Sequence, residues 1–228
     1  MTRMFLSTDS TARLGRGRRW MDIWRGAALS WMVLTFFIGL ALAAIVLFIF
    51  GTGDRGIVLA LRVTARWSFL PFWLAYAGGA MATLFGSRFA GVARHGKELG
   101  LAFASAQLVH LGLVVWLYQS ATDPLGAMTF FWIGALCTYL LALFSLPRLR
   151  DALGPRIWRA LRTIAVEYIA LVFARDFILG PLHDIARTYP ATYLPFALML
   201  VGGASLRFAA FASRLRHSPG GVPHNPRG

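Results

Sequence analysis

Cysteine, lysine and acid are all scarce in this chain, and each scarcity closes off a class of protein. One cysteine, Cys137, cannot form an internal disulfide, and no Cys/His group has the spacing of a zinc site. Lys97 is the single lysine among 23 basic residues, a pattern we read as coding bias and not as chemistry. Charged residues make up 14% of the 228, against about 25% in a typical soluble domain. That excludes a soluble enzyme with a large core. No glycine-rich phosphate loop follows a strand, and no strand-like alternation exists to carry one, so these residues hold no nicotinamide or flavin domain. There is no HExxH, no Ser/His/Asp set in a recognisable context and no pair of carboxylates within an apolar run. The sequence therefore predicts no catalytic residue and no metal site.

What is abundant is apolar sequence. Hydrophobic residues make up 57% of the chain and the mean hydropathy is +0.61. Six apolar segments fall at about 27–51, 67–86, 99–119, 127–147, 161–180 and 193–212. Each is near the roughly 20 residues that carry a helix across a bilayer, and a helix satisfies its own backbone groups in lipid. The sequence thus predicts an all-α, polytopic membrane bundle of six transmembrane helices over residues 26–212. A basic arm over 1–25 precedes it, and a Pro/Gly-rich tail over 213–228, expected to be disordered, follows it. The uncharged run after Arg25 extends 28 residues, to Gly53. A cleaved signal peptide has a core of about 7–15 residues, so this run reads as a retained helix.

The basic residues sit in short stretches beside the apolar segments. That placement fits topology signals and contact with anionic lipid, and it argues against nucleic acid as the partner of a chain with net charge +14. Within the arm, Trp20 and Trp24 stand at helical spacing among six arginines, as in an amphipathic interfacial helix. With the N-terminus inside, sixteen basic residues fall on the inner side and four, Arg55, Arg62, Arg66 and Arg187, on the outer. This predicts that both termini are cytoplasmic. Gly78-Gly79-Ala80 and Gly202-Gly203-Ala204, in the second and sixth segments, read as small-residue packing faces.

Ionisable groups at membrane depth are costly and point to function or to pairing. Here they are His110, Arg162, Glu167, Arg175, Asp176 and Arg207. At 1.5 Å per residue, Glu167 lies about 9 Å from the inner end of the fifth segment, and Arg207 reaches nearly the same depth on the antiparallel sixth. The two can pair. Arg162 lies near enough to the inner end to snorkel. Glu167, Arg175, Asp176 and Arg207 sum to no net charge. They form either a salt-bridge network that fixes helix packing or a polar path for protons, ions or a substrate.

A family resemblance joins some of these residues. Arg94-His95-Gly96-Lys97-Glu98-Leu99-Gly100-Leu101, followed by His110, resembles the start of the third helix in bacterial ferric-reductase-like transmembrane proteins. That family includes the haem-binding membrane subunit of the periplasmic methionine sulfoxide reductase system. Its pattern continues with a Leu-x-Ser-like helix end, a short basic loop, Trp-x-x-Leu-His, and a second histidine 13 residues later. Leu143-Phe144-Ser145, the loop Pro147–Arg156 and Trp158-Arg159-Ala160-Leu161-Arg162 match that frame, with Arg175 at the 13-residue spacing. The resemblance covers about residues 66–180. It implies a six-helix membrane domain of the bacterial cytoplasmic (inner) membrane, related to proteins that pass electrons through haem b to or from a redox partner protein.

The chain departs from the pattern at both histidines of the fifth helix, which are Arg162 and Arg175. Imidazole nitrogen ligates haem iron. Guanidinium stays protonated and offers no lone pair. Of the ligand set that the resemblance implies, only His110 remains, with His183 as a candidate substitute. The expected function is therefore a membrane partner or accessory subunit without the bis-histidine haem site. Two alternatives stay open: an electron-transfer subunit that binds haem b through His110, and a small transporter built on the intramembrane charges. The simplest expectation for His110 is a hydrogen bond in a contact between the third and fifth helices.

Overall fold

The computed structural model describes residues 8–119, 129–183 and 190–216, and among them the only regular structure is helical. Six long helices follow the six apolar segments. They are α1 (Thr8–Phe50), α2 (Asp54–Phe85), α4 (Gly96–Gln119), α5 (Thr129–Leu143), α6 (Pro147–Ala174) and α8 (Pro190–Arg216). A 3-10 turn over Gly86–Phe89 and a short α3 (Ala90–Arg94) join α2 to α4. A π turn over Arg175–Leu179 and a short α7 (Gly180–His183) extend α6.

Several helices are long and apolar enough to cross a membrane, the mark of a multi-pass membrane protein. By length and composition they are Ala28–Phe50, Asp54–Arg94, Gly96–Gln119 and Thr192–Arg216. The fourth and fifth segments behave differently from simple spans. The described part of α5 has 15 residues, which at 1.5 Å each gives about 22 Å against a hydrocarbon core of about 30 Å. It reaches the length of a span only together with Pro147–Leu179, to which it is bent by 110°.

Element ends differ from the sequence reading in physically simple ways. α1 runs through the boundary placed at residue 25, because nothing between Thr8 and Phe50 breaks a helix; it stops where Gly51 takes a φ of 79°. α2 starts at Asp54, thirteen residues before the second apolar segment, because an acid in the first turn and good helix formers allow it. α8 continues to Arg216, into the stretch assigned to the tail, with Arg214 and Arg216 in its last turn, where cations suit the helix dipole. Residues 217–228 of the tail, residues 1–7 of the arm and Arg187 lie outside the described residues.

The chain divides into two compact units. The first comprises residues 1–68 with 101–120, and so holds α1, the first part of α2 and most of α4. Its apolar core is Ala43, Ala60, Val109 and Leu113, with Phe36, Val46, Leu47 and Leu61 packed against them. Small residues bring these helices close enough for hydroxyl groups to reach the backbone of a neighbour. Thr35 Oγ1 on α1 lies 2.8 Å from the Trp31 carbonyl of its own helix and 3.0 Å from the Ala102 carbonyl of α4. Ser105 of α4 donates to the Met32 carbonyl at 2.7 Å, and the Trp67 indole of α2 donates to the Thr35 carbonyl at 2.9 Å. Side-chain hydrogen bonds of this kind hold helices together where apolar packing brings little driving force.

The second unit comprises residues 69–100 with 121–228. Its core is aromatic. Phe69 is fully buried, with ring centroids 5.1 Å from Phe173, 5.1 Å from Phe177 and 5.9 Å from Phe196. Phe72 and Tyr76 follow it along α2 and stack at 5.5 Å. The π turn carries Phe177 into this layer, where it stacks on Phe173 at 5.6 Å. α8 lies close to α2 because Gly203 has no side chain: a Cβ there would stand 2.9 Å from the Trp73 indole nitrogen. That indole donates to the Met199 carbonyl at 2.6 Å. One glycine of each Gly-Gly-Ala triplet packs in this way, since a Cβ at Gly78 would meet Val92 at 2.7 Å.

Phe69→Ala removes the centre of the aromatic layer, and we expect it to cost about 3–5 kcal/mol. Phe208→Ala, at a position 75% exposed, should stay within about 0.5 kcal/mol. Thermal or denaturant unfolding of both variants in one detergent checks the contrast, and equal losses would show that the layer is not the core.

Candidate functional site

Two sets of contacts in the second unit hold Glu167, Arg207 and Arg175. In the first, Arg207 of α8 meets Glu167 of α6. Its Nη2 lies 2.6 Å and its Nε 3.0 Å from Glu167 Oε1. The other carboxylate oxygen accepts from the Tyr76 hydroxyl of α2 at 3.0 Å. Arg207 Nη1 reaches the Tyr76 carbonyl at 3.3 Å, and its guanidinium carbon stands 4.5 Å over the Tyr76 ring. Three helices thus converge on one carboxylate. The pairing of Glu167 with Arg207 is the one that their equal depth suggests. Tyr76 is the member that the sequence reading missed. Its signal was present in the spacing Phe69, Phe72, Tyr76, which puts the tyrosine on the buried face of α2 at the end of an aromatic stripe.

The pair is not deeply buried. The side chains of Arg207 and Glu167 are 31% and 48% exposed. On a soluble protein such a pair contributes at most about 1 kcal/mol. Beside apolar helices the alternative is an unpaired charge against lipid, and that raises its value.

In the second set, Arg175 opens the π turn, about 12 Å along the helix from Glu167. Its guanidinium carbon lies 5.1 Å from the Phe130 ring and 5.3 Å from the Phe131 ring of α5. An arginine over two aromatic faces is held by cation–π attraction, which suits a weakly hydrated guanidinium at low dielectric. Tyr168, two turns earlier on α6, donates to the Phe130 carbonyl at 3.1 Å and fixes the same segment of α5. Asp176, adjacent to Arg175, is exposed. Arg162 is exposed near the other end of α6.

His110 belongs to the first unit. Its Nδ1 lies 3.1 Å from Thr64 Oγ1 of α2. That partner is therefore on α2, where the sequence reading expected the fifth helix. Thr64 lies 2.9 Å from the Ala60 carbonyl and gives that carbonyl its proton, which leaves the hydroxyl oxygen to accept from the imidazole. The side chain of His183 lies outside the described residues.

A bis-imidazole haem does not fit this donor set. The two fifth-helix positions hold guanidinium groups without lone pairs, one of them stacked on Phe130 and Phe131. His110 is the one imidazole left of that set, with Nδ1 on Thr64 and Nε2 as its remaining nitrogen, so a second axial imidazole is what the set lacks. No protein-family model, no curated protein and no solved structure matches the chain.

The triad has a thermodynamic signature. Glu167→Leu and Arg207→Leu should each destabilise the protein, because each strands the other charge. The double variant should lose less than the sum of the two, with a coupling of about 1–3 kcal/mol. Additive losses in unfolding measurements would mean that the pair contributes nothing to the fold.

Proposed function

We propose that this is a six-span protein of a bacterial inner membrane, with both termini cytoplasmic. We propose further that it works by association, as a membrane partner or accessory subunit of a redox partner protein, and carries no haem b. The frame is the one that resembles ferric-reductase-like transmembrane domains. The observation that carries the reading is what has happened to the ligand positions. Arg162 and Arg175 stand where the family has imidazole, so at most one axial ligand of that frame, His110, is left. The charges of the apolar helices support it from a second direction. Glu167, Arg207 and Tyr76 satisfy one another, and Arg175 lies on two rings of α5. Groups arranged in this way brace helices against one another.

The optical spectrum of the full chain, purified from cells supplied with haem, tests the reading. The expected result is no stoichiometric Soret band. A band that shifts on reduction and disappears in His110→Ala would overturn it in favour of electron transfer. Liposome flux that falls in both Glu167→Gln and Arg175→Gln would overturn it in favour of transport. The topology is checked separately by reporter fusions. A reporter at the C-terminus should be active only if it works in the cytoplasm, and one at 121–126 only if it works outside.

A further inference from the structure

We propose that the elbow between α5 and α6 binds the phosphate of an anionic phospholipid. The proposal rests on the membrane reading above and adds a ligand and a place for it.

The elbow is built by residues that cannot continue a helix. α5 ends in a tightened turn, with the Ser145 and Leu146 amides on the Ala142 and Leu143 carbonyls at 3.2 and 3.1 Å. Leu146 is extended, at φ −70° and ψ 128°, and Pro147 opens the next helical turns, a role its fixed φ suits. Those turns break at Gly154, whose φ of 73° and ψ of 161° belong to a region open essentially to glycine alone. Pro155 then starts the long arm of α6. Between the two bends lies an open hollow of about 500 Å³ lined by Arg150, Asp151, Gly154, Pro155 and Trp158. The volume is in the range that holds a small ligand.

Charge and apolar surface meet there in the proportion a phospholipid needs. Arg150 lines the hollow, Arg148, Arg156 and Arg159 are exposed within two residues of its lining in sequence, and Asp151 is the one acid between Pro147 and Arg162. Arg150 directs Nε and Nη2 to Asp151 Oδ1, each at 3.3 Å. This steadies the guanidinium at the hollow and leaves N–H groups for a second acceptor. Asp151 also subtracts a charge from the site. Between the arginines, Leu146, Leu149 and Ile157 are exposed, and the Trp158 ring is half-buried. Aliphatic side chains interleaved with arginines beside a tryptophan at the end of an apolar helix match a headgroup above and acyl chains below. A soluble phosphate would leave the aliphatic ridge without a role.

The test uses the full chain in nanodiscs, with retained lipid counted by native mass spectrometry. Phosphatidylglycerol should be retained over phosphatidylcholine. The double change Arg150→Gln and Arg156→Gln should weaken phosphatidylglycerol retention about 25-fold, at about five-fold per arginine. Arg88→Gln with Arg216→Gln removes the same charge elsewhere and should change it less than two-fold. Asp151→Asn should strengthen retention, which keeps the proposal testable if the arginine variant does not fold. Equal loss in both arginine pairs, no preference for phosphatidylglycerol, or displacement of the lipid by millimolar inorganic phosphate would each overturn it. Release of the chain from membranes by alkaline carbonate would instead overturn the membrane reading on which it rests.

Discussion

A carboxylate in an apolar helix has to find its hydrogen bonds inside the protein, and Glu167 finds them on two other helices. Arg207 takes one oxygen and Tyr76 the other. That requirement organises much of the second unit. Arg207 reaches Glu167 from α8, which also packs tightly on α2, where Gly203 stands against Trp73 and Tyr76. The aromatic layer from Phe69 to Phe196 then fills the space between the same three helices. Close packing of aromatics sets the distances, and the triad makes those distances specific.

The first unit solves the same difficulty with hydroxyl groups. Thr35, Thr64 and Ser105 are buried, and each returns a bond to a backbone carbonyl. Because Thr64 donates to its own helix, its oxygen is left facing His110 as an acceptor. A buried imidazole is thereby accommodated without any charged partner. The same bond fixes the ring through Nδ1 and leaves Nε2 as its other nitrogen.

Much of this was legible in the sequence, and the limits were physical. The helical class and the positions of the six long helices follow from apolar runs of membrane length. Glu167 and Arg207 could be matched because depth along antiparallel helices is simple arithmetic. Depth says nothing about azimuth, however, so it does not single out Thr64 of α2 as the hydrogen-bond partner of His110. Side-chain chemistry beyond charge was also silent. Tyr76 acts through its hydroxyl and ring face and Phe130 through its ring face and carbonyl, and none of these leaves a mark in a count of charges. The length of α5 was misjudged for a different reason. Apolar composition runs on to Pro147, but the helix ends at Leu143, where the turn into Leu146 and Pro147 begins.

The triad also carries a schedule. Arg207 follows Glu167 by 40 residues, whereas Tyr76 precedes it by 91. At about 5–20 residues per second, the carboxylate is synthesised about 2–8 seconds before its guanidinium exists. During that interval the tyrosine hydroxyl is the one member of the triad already made. Tyr76 is thus the carboxylate's first companion as well as its second ligand. In the order of the chain the acid's hydroxyl donor comes first and its counter-ion last.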